Sequence, residues 1–550
     1  FVVCVVACCG SNMKLVLCVL ALSVVGVAFA DDGTLITTQN GQVQGFLATT
    51  QLHPNTPIAR NWLGIPFAAP PLDDLRFVSP QPVANWNGVL QATSYSDACM
   101  QNPNGLAWTA QGPEEISEDC LYLNVFAPTL NVTPPTGGFP VMVFLYGGCW
   151  EYGSAALPLY HGDSEINYSD KIILVTVNYR LGAFGFLASE ALKEDSVDGS
   201  AGNYGVQDQR AALEWVRDNI AAFGGNKDSV MLFGQSAGSG STGFHVASQR
   251  SAGLFHSAAL ESGPYAGWSS LNMSIQQEHF DVMTGKVGCN TGSNADQVAC
   301  LRSKTADEIL HNSGGIDISS GCSWAPTVDG VELKYATQDQ VKAGEFNRVP
   351  VMLGTNKDEG STFVIDCDAT DQEYWAYLNE TAGPDLGTLI YYQYPSSEYK
   401  SPFWACSAVM TDACMACPAR RTARWLSAPI PEAGPGTDVY LYQYLHAPDI
   451  SQADRCLGVF HGAELPFVFY KKKALDVREM NLAKEMVNWW QSMAIYQTPN
   501  GPEAPFNWPK YDIFSDQNAY LDLKSGVESN LKKTNCDWWD ALSLANVFLC

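Results

Sequence analysis

Gly234-Gln235-Ser236-Ala237-Gly238 is the segment whose residue types point most directly to chemistry. It follows the short apolar run Val230–Phe233 and leads into a helix-compatible stretch. A strand feeding a tight turn and then a helix lifts the central serine above the sheet edge, and small neighbours let the backbone pack closely. A serine hydroxyl attacks a carbonyl only when a base takes its proton and an acid orients that base. For a serine on such a turn, the chain order is serine, carboxylate, histidine. Past Ser236, the strand Val349–Gly354 runs into Thr355-Asn356-Lys357-Asp358-Glu359-Gly360, which places two carboxylates on a loop at a strand end. Of the 8 histidines, only His446 and His461 lie beyond that loop. His461 sits in Gly458-Val459-Phe460-His461-Gly462-Ala463-Glu464, among glycine and apolar residues, as a histidine at a pocket floor would. His446 follows the aromatic run Tyr440–Tyr444 and is read as a strand-end residue. His245 and His256 lie on or just beyond the helix after Ser236, the wrong order for the base, and are read as packing or surface residues. Acyl transfer also needs donors aimed at the developing oxyanion. The strand Val141–Tyr146 ends in Gly147-Gly148-Cys149-Trp150, where two glycines let main-chain N–H groups turn into a cavity.

The elements that must hold these residues are short apolar strands alternating with amphipathic helices. Val141–Leu145, Ile172–Val177, Val230–Phe233 and Val351–Leu353 have the length and composition of buried strands. Between the second and third, Leu213, Val216, Ile220 and Phe223 form one apolar stripe, predicting a helix over 206–223 that Gly224-Gly225 terminates. This alternation predicts an α/β fold with a large, mostly parallel sheet covered by helices on both faces. No internal repeat or long linker interrupts it. The Pro/Gly-rich stretches at 133–140 and 429–436 read as surface loops. Residues 31–550 are therefore expected to form a single domain.

Composition excludes several classes. The chain has 550 residues and a formal charge of −26, so it lacks the basic face that nucleic-acid binding requires. With 46% hydrophobic and 16% charged residues it is no disordered chain. The acidic excess is read as a device for solubility rather than for steering cationic substrates. Met13-Lys14, the apolar run Leu15–Val27 and Ala28-Phe29-Ala30 have the form of a signal peptide over Met13–Ala30, behind an upstream extension of residues 1–12. No later segment is apolar for long enough to cross a bilayer, so a secreted or lumenal protein without stable membrane insertion is expected. Sequons at Asn131, Asn167, Asn272 and Asn379 fit a glycoprotein. Of 17 cysteines, those at 4, 8, 9 and 18 precede residue 31, leaving an odd number and at least one free or intermolecular thiol. Cysteines and histidines lack the spacing of metal ligands, and no cofactor is expected.

Together these pieces resemble the type-B carboxylesterase and cholinesterase family of α/β-hydrolases. The resemblance spans essentially the whole chain after residue 30. It rests also on Glu118-Asp119-Cys120-Leu121-Tyr122-Leu123-Asn124-Val125, on Asn178-Tyr179-Arg180-Leu181-Gly182, and on Gly202-Asn203-Tyr204-Gly205 followed by Asp208-Gln209. Asp358-Glu359-Gly360 and Gly458-Val459-Phe460-His461-Gly462 complete it. The resemblance implies Ser236 as nucleophile, His461 as general base and Glu359, rather than Asp358, as the orienting acid. It implies an oxyanion hole from the N–H groups of Gly148, Cys149 and Ala237. Cys149 stands where the family usually has a third glycine, so a thiol is expected to intrude near the reacting carbon. Tyr146 precedes the glycines as in cholinesterases. Disulfides Cys99–Cys120, Cys289–Cys300 and Cys417–Cys536 follow from the same likeness. Cys149, Cys322, Cys367, Cys406, Cys414, Cys456 and Cys550 are left unassigned, with the C-terminal helix or Cys550 as the candidate for joining two copies.

The resemblance also bears on the substrate. Cholinesterases hold a quaternary ammonium over a tryptophan face, with a glutamate just before the nucleophile. Here Gln235 carries no charge, and Trp108 lies on a loop shorter than theirs. Ser320 and Cys322 stand where acetylcholine-selective members place phenylalanines, which leaves room for larger acyl groups. A carboxylesterase acting on neutral esters is therefore expected, ahead of a choline esterase or a lipase. The remaining alternative is a cholinesterase-like adhesion protein, which typically loses a triad member; this chain keeps all three.

Overall fold

Phe139–Leu145 and Ile173–Val177 show no polar alternation, and every residue of both is buried. Runs of this kind are stable only inside a sheet covered on both faces. In the computed structural model, which describes residues 32–49, 55–102, 115–313, 322–429, 434–449 and 455–544, they lie at the centre of such a sheet. Its strands in chain order are β1 (Phe46–Ala48), β2 (Ala59–Pro66), β3 (Tyr122–Ala127), β4 (Phe139–Leu145), β5 (Ile173–Val177) and β6 (Gly225–Gln235). They continue with β7 (Ser257–Glu261), β8 (Val351–Asn356), β9 (Val439–Tyr444), β10 (Gln517–Leu521) and β11 (Gly526–Ser529). The 11-stranded sheet has the order β11-β10-β9-β8-β7-β6-β4-β5-β3-β2-β1. All neighbours from β5 to β10 are parallel, whereas β3, β2 and β1 at one edge and β11 at the other attach antiparallel. The fold is α/β, and its sheet is mixed at both edges.

Three helices bear on the site. The first, α1 (Tyr204–Asn219), is prolonged by a 3-10 turn over Ile220–Phe223, and Gly224 at φ +93° closes it. Leu213, Val216, Ile220 and Phe223 of the expected stripe are all fully buried. The second, α2 (Ala237–Ala247), is buried at every position, as befits a helix sunk in the core. The third, α3 (Glu479–Tyr496), buries Met486, Val487, Trp489, Trp490 and Met493. The loop expected over 133–140 ends earlier. Phe139 donates its N–H to the Gly224 carbonyl (2.9 Å) and already belongs to β4.

The residues from Gly33 onward form one compact unit. Each fully buried Leu, Ile or Phe contributes about 1.5–3 kcal/mol. The core therefore outweighs the disulfides, each worth about 2–4 kcal/mol. The structure pairs Cys99 with Cys120, Cys289 with Cys300 and Cys417 with Cys536. It also pairs Cys149 with Cys322 and Cys367 with Cys456, joining cysteines the sequence left unassigned. Cys414 is in a disulfide as well, and Cys406 is a free, buried thiol. The C-terminal helix α4 (Lys533–Leu544) docks on its own chain through Cys536, an Arg420–Asp537 ion pair (2.9 Å) and an Arg421–Asp540 pair (2.8 Å). Cys550 and the segment Met13–Ala30 lie outside the described residues. Among the described residues, no helix is long and apolar enough to cross a membrane.

Candidate active site

Ser236 directly follows β6 and precedes the first residue of α2, with φ +59° and ψ −127°. A non-glycine residue held at positive φ is strained, and such strain collects at functional turns. The turn is held because the Ser236 N–H donates to the Glu261 carbonyl of β7 (2.8 Å). Its glycines are required by close approach. A side chain on Gly238 would put its Cβ 2.0 Å from the Leu145 carbonyl oxygen, and one on Gly234 would lie 2.4 Å from that of Gly238. Ser236 itself stays half-buried, reachable from outside the core.

Glu359 follows β8, and His461 lies on the loop that also carries Gly458 and Gly462. Their side chains meet: His461 Nδ1 donates to Glu359 Oε2 at 2.6 Å, with both residues buried. The other oxygen, Oε1, accepts the Asn356 N–H at 2.6 Å, so the carboxylate is held at both ends. Asp358 has another task, since its carboxylate accepts the Val459 N–H (3.0 Å) and pins the histidine loop. Phe363 abuts the imidazole edge-on at 5.0 Å.

With Nδ1 protonated, the lone pair of His461 sits on Nε2, where the Gln235 side-chain amide donates to it at 3.2 Å. The sequence points Gln235 toward the substrate pocket. The structure buries it against His461, next in chain to Ser236.

A second contact invisible in the sequence is Glu464, whose Oε2 accepts from the Asn356 side chain. Burial, reinforced by the neighbouring Glu359, pushes its carboxyl up to about 7. Glu261, bonded to Trp490 Nε1 (2.6 Å), is also raised by burial and by Glu464. A buried carboxylate of this kind has no sequence signature beyond its apolar neighbours.

The loop after β4 passes directly over the elbow. A Cβ on Gly147 would stand 2.7 Å from the Ser236 Cβ. Gly148 (φ +120°), Cys149 (φ +53°) and Trp150 (φ +54°) then take three successive left-handed conformations. Trp150 anchors the turn, its Nε1–H donating to Ser241 Oγ of α2 (2.9 Å). Among the described residues, the N–H groups of Gly148 and Ala237 meet no acceptor within the chain. The expected Cys149 thiol is not there: Cys149 is bonded to Cys322, since the two residues face each other with Cα atoms 5.2 Å apart. Tyr146 is fully buried and stacks on Tyr179 (4.5 Å between centroids). A cavity of about 490 Å³ opens beside this loop, lined by Gln101, Glu151, Tyr152, His311 and Trp324 among others. Trp108 and Ser320 lie outside the described residues.

Other residues singled out by sequence serve the scaffold. Arg180 holds Asp208 with two hydrogen bonds (2.7 and 2.8 Å) under the face of Tyr204. Glu118 pairs with Arg76 (2.6 Å), and Asn203 bonds to both main-chain groups of Thr327. His245 is buried between Ser251 and Gln209, and burial lowers its imidazole to about 3. His256 accepts the Val230 N–H, and His446 contacts Glu479 (3.0 Å). Asn131, Asn167 and Asn272 are exposed, while Asn379 is half-buried. Among the described residues, one acidic group has metal-like spacing: Asp449, Asp476 and Glu479. Glu479 spends its oxygens on main-chain N–H groups and His446, at the start of α3, and reads as a structural cap.

The profile of the carboxylesterase family matches residues 32–539. A cholinesterase of Mus musculus is 32% identical over 549 aligned residues, covering 94% of this chain and 87% of that protein. This chain belongs to the carboxylesterase family of α/β-hydrolases and is a carboxylic-ester hydrolase.

Proposed function

We propose that the protein is a secreted, glycosylated serine carboxylesterase cleaving small neutral esters through an acyl-enzyme on Ser236. The observation that carries this reading is the buried Glu359–His461 hydrogen bond (2.6 Å) beside the strained Ser236 turn. Glu359 fixes the tautomer that leaves Nε2 unprotonated. As Ser236 Oγ attacks the ester carbonyl carbon, Nε2 takes its proton, and the Gln235 amide yields its place on that nitrogen. The new oxyanion accepts hydrogen bonds from the N–H groups of Gly148, Cys149 and Ala237. His461 then returns the proton to the departing alcohol. Water, deprotonated by the same nitrogen, attacks the acyl-serine and releases the carboxylic acid.

Residues 31–550 form the catalytic domain in this reading, and Met13–Ala30 directs the chain into the secretory route. The disulfides and the exposed sequons at Asn131, Asn167 and Asn272 support that route. Self-association, placed at the C-terminal helix or Cys550, is read by sizing with and without reductant. The mouse relative's name favours choline esters, whereas the uncharged Gln235 beside the base favours neutral ones.

The test is hydrolysis of p-nitrophenyl acetate, butyrate and octanoate beside acetylthiocholine, with Ser236→Ala as control. Expected is turnover of the neutral esters, lost by about 10⁴-fold or more in the variant, with thiocholine turned over poorly. Preference for thiocholine would replace the neutral-ester reading with the choline one. Turnover that survives Ser236→Ala would overturn the assigned nucleophile.

A further inference from the structure

We propose that the Cys149–Cys322 disulfide is a positioning cross-link, which holds a non-glycine residue in the oxyanion loop and ties to it the segment carrying Cys322, the acyl wall that the family resemblance implies. This rests on the esterase reading above. The turn 148–150 needs three successive positive φ angles, a backbone region that only glycine enters without strain. Gly148 enters freely, and Trp150 is held by its buried indole on Ser241 and its packing on Trp268. Cys149 has neither freedom nor a buried side chain, being half-exposed. It is joined by a covalent bond to a buried cysteine on another segment.

The far end of that bond is itself rooted. The Ser323 N–H donates to the Glu151 carboxylate (3.0 Å), so residues 149–151 and 322–323 are joined both covalently and by a hydrogen bond. Trp324 is buried and packs against His279 at 4.9 Å. The 490 Å³ cavity, lined by Glu151, Tyr152 and Trp324, lies beside the link and gives the two segments room to separate once it is cut. The cross-link thus does two jobs at one place. It keeps the Cys149 N–H at the angle the oxyanion needs, and it limits how far the acyl wall retreats.

Two variants separate these jobs: Cys322→Ser, and Cys149→Gly combined with Cys322→Ser. Rates on p-nitrophenyl acetate and octanoate are normalised to serine sites titrated by a fluorophosphonate. In C322S, kcat on acetate should fall by about tenfold to a hundredfold with KM little changed, because a displaced donor is lost mainly in the transition state. The octanoate-to-acetate ratio should rise severalfold as the wall loosens. In the double variant, glycine should recover most of the lost kcat while the raised ratio persists. A C322S enzyme with kcat and ratio within twofold of wild type overturns the proposal. A double variant as slow as C322S overturns the positioning role, since the loss would then come from general disruption. An inert wild-type enzyme would instead overturn the esterase reading and this proposal with it, so the two failures are distinct.

Discussion

Arg180 and Asp208 bury a matched pair of opposite charges, whereas His461, Glu359, Glu464 and Glu261 gather three carboxyl groups with one histidine, and burial pushes two of those carboxyls toward the neutral form. In the first cluster the guanidinium and carboxylate meet with two hydrogen bonds, and the same carboxylate accepts the Arg180 N–H (3.1 Å). Burial still raises the Asp208 carboxyl against the pull of Arg180, so even a well-made pair recovers only part of its desolvation cost. In the second cluster the imidazole is bonded to Glu359 alone of the three carboxyls, Glu464 and Glu261 lie nearby with theirs raised by burial, and among the described residues no lysine or arginine pairs with the three. That arrangement serves stability poorly. In the esterase reading proposed above, it is an environment in which a cation formed on His461 is welcome at the moment of reaction. The contrast teaches that a buried carboxyl in this molecule is met by a guanidinium at Asp208 and, at Glu464 and Glu261, is held toward its neutral form instead.

The largest way to break the contrast is Glu359→Gln. If the second cluster exists for catalysis, kcat should fall by about 10³- to 10⁴-fold, because the amide no longer fixes the tautomer. The urea midpoint should move little, and a large shift with modest loss of kcat would assign Glu359 to the scaffold. Arg180→Met is the mirror experiment. It strands Asp208 without its partner and should cost about 3–5 kcal/mol of stability, read as a lower urea midpoint at unchanged slope. The surviving folded enzyme should keep its kcat within a few-fold; a thousandfold loss would mean the two clusters are not separate.

Glu464→Gln sharpens the comparison. Glu464 ionises near 7 in the folded protein and near 4.3 when unfolded. Above pH about 4.5 the unfolded chain has released a proton that the folded chain retains. Wild-type stability from this group is therefore full at low pH and lost as pH rises through 7. The variant lacks the ionisation, so its stability relative to wild type should grow between pH 5 and pH 8, by at most about 3 kcal/mol at 1.36 kcal/mol per unit. Parallel stability curves across that range would refute the role given to Glu464.

Much of the fold and of the site is legible in the sequence, and the reason differs from residue to residue. Val141–Leu145 and Val230–Phe233 stand out because apolar runs between turn residues have few alternatives to a buried strand. The stripe Leu213, Val216, Ile220 and Phe223 marks its helix through the 3.6-residue period. Ser236 is recognisable because the close approach at Gly234 and Gly238 leaves a local imprint. The antiparallel edge β1–β3 leaves a fainter trace, its first strand being only three residues long. The Gln235 contact, the raised Glu464 and the Cys149–Cys322 bond are hidden for another reason. Each is a meeting of segments far apart in sequence, and neither segment alone has a pattern demanding the other.

The strand order also sets a timetable for the growing chain. Val143 pairs with Leu232, Leu260 with Leu353, and Leu353 with Leu441. At roughly 5–20 residues per second of synthesis, each of these strands waits several seconds for its neighbour, exposing apolar faces meanwhile. The Ser236 turn can close once β7 has been made, long before His461 leaves the ribosome. For tens of seconds, on the order of the synthesis of the intervening chain, the nascent protein carries Ser236 without His461. In the esterase reading proposed above, it therefore stays hydrolytically silent until the sheet is nearly whole.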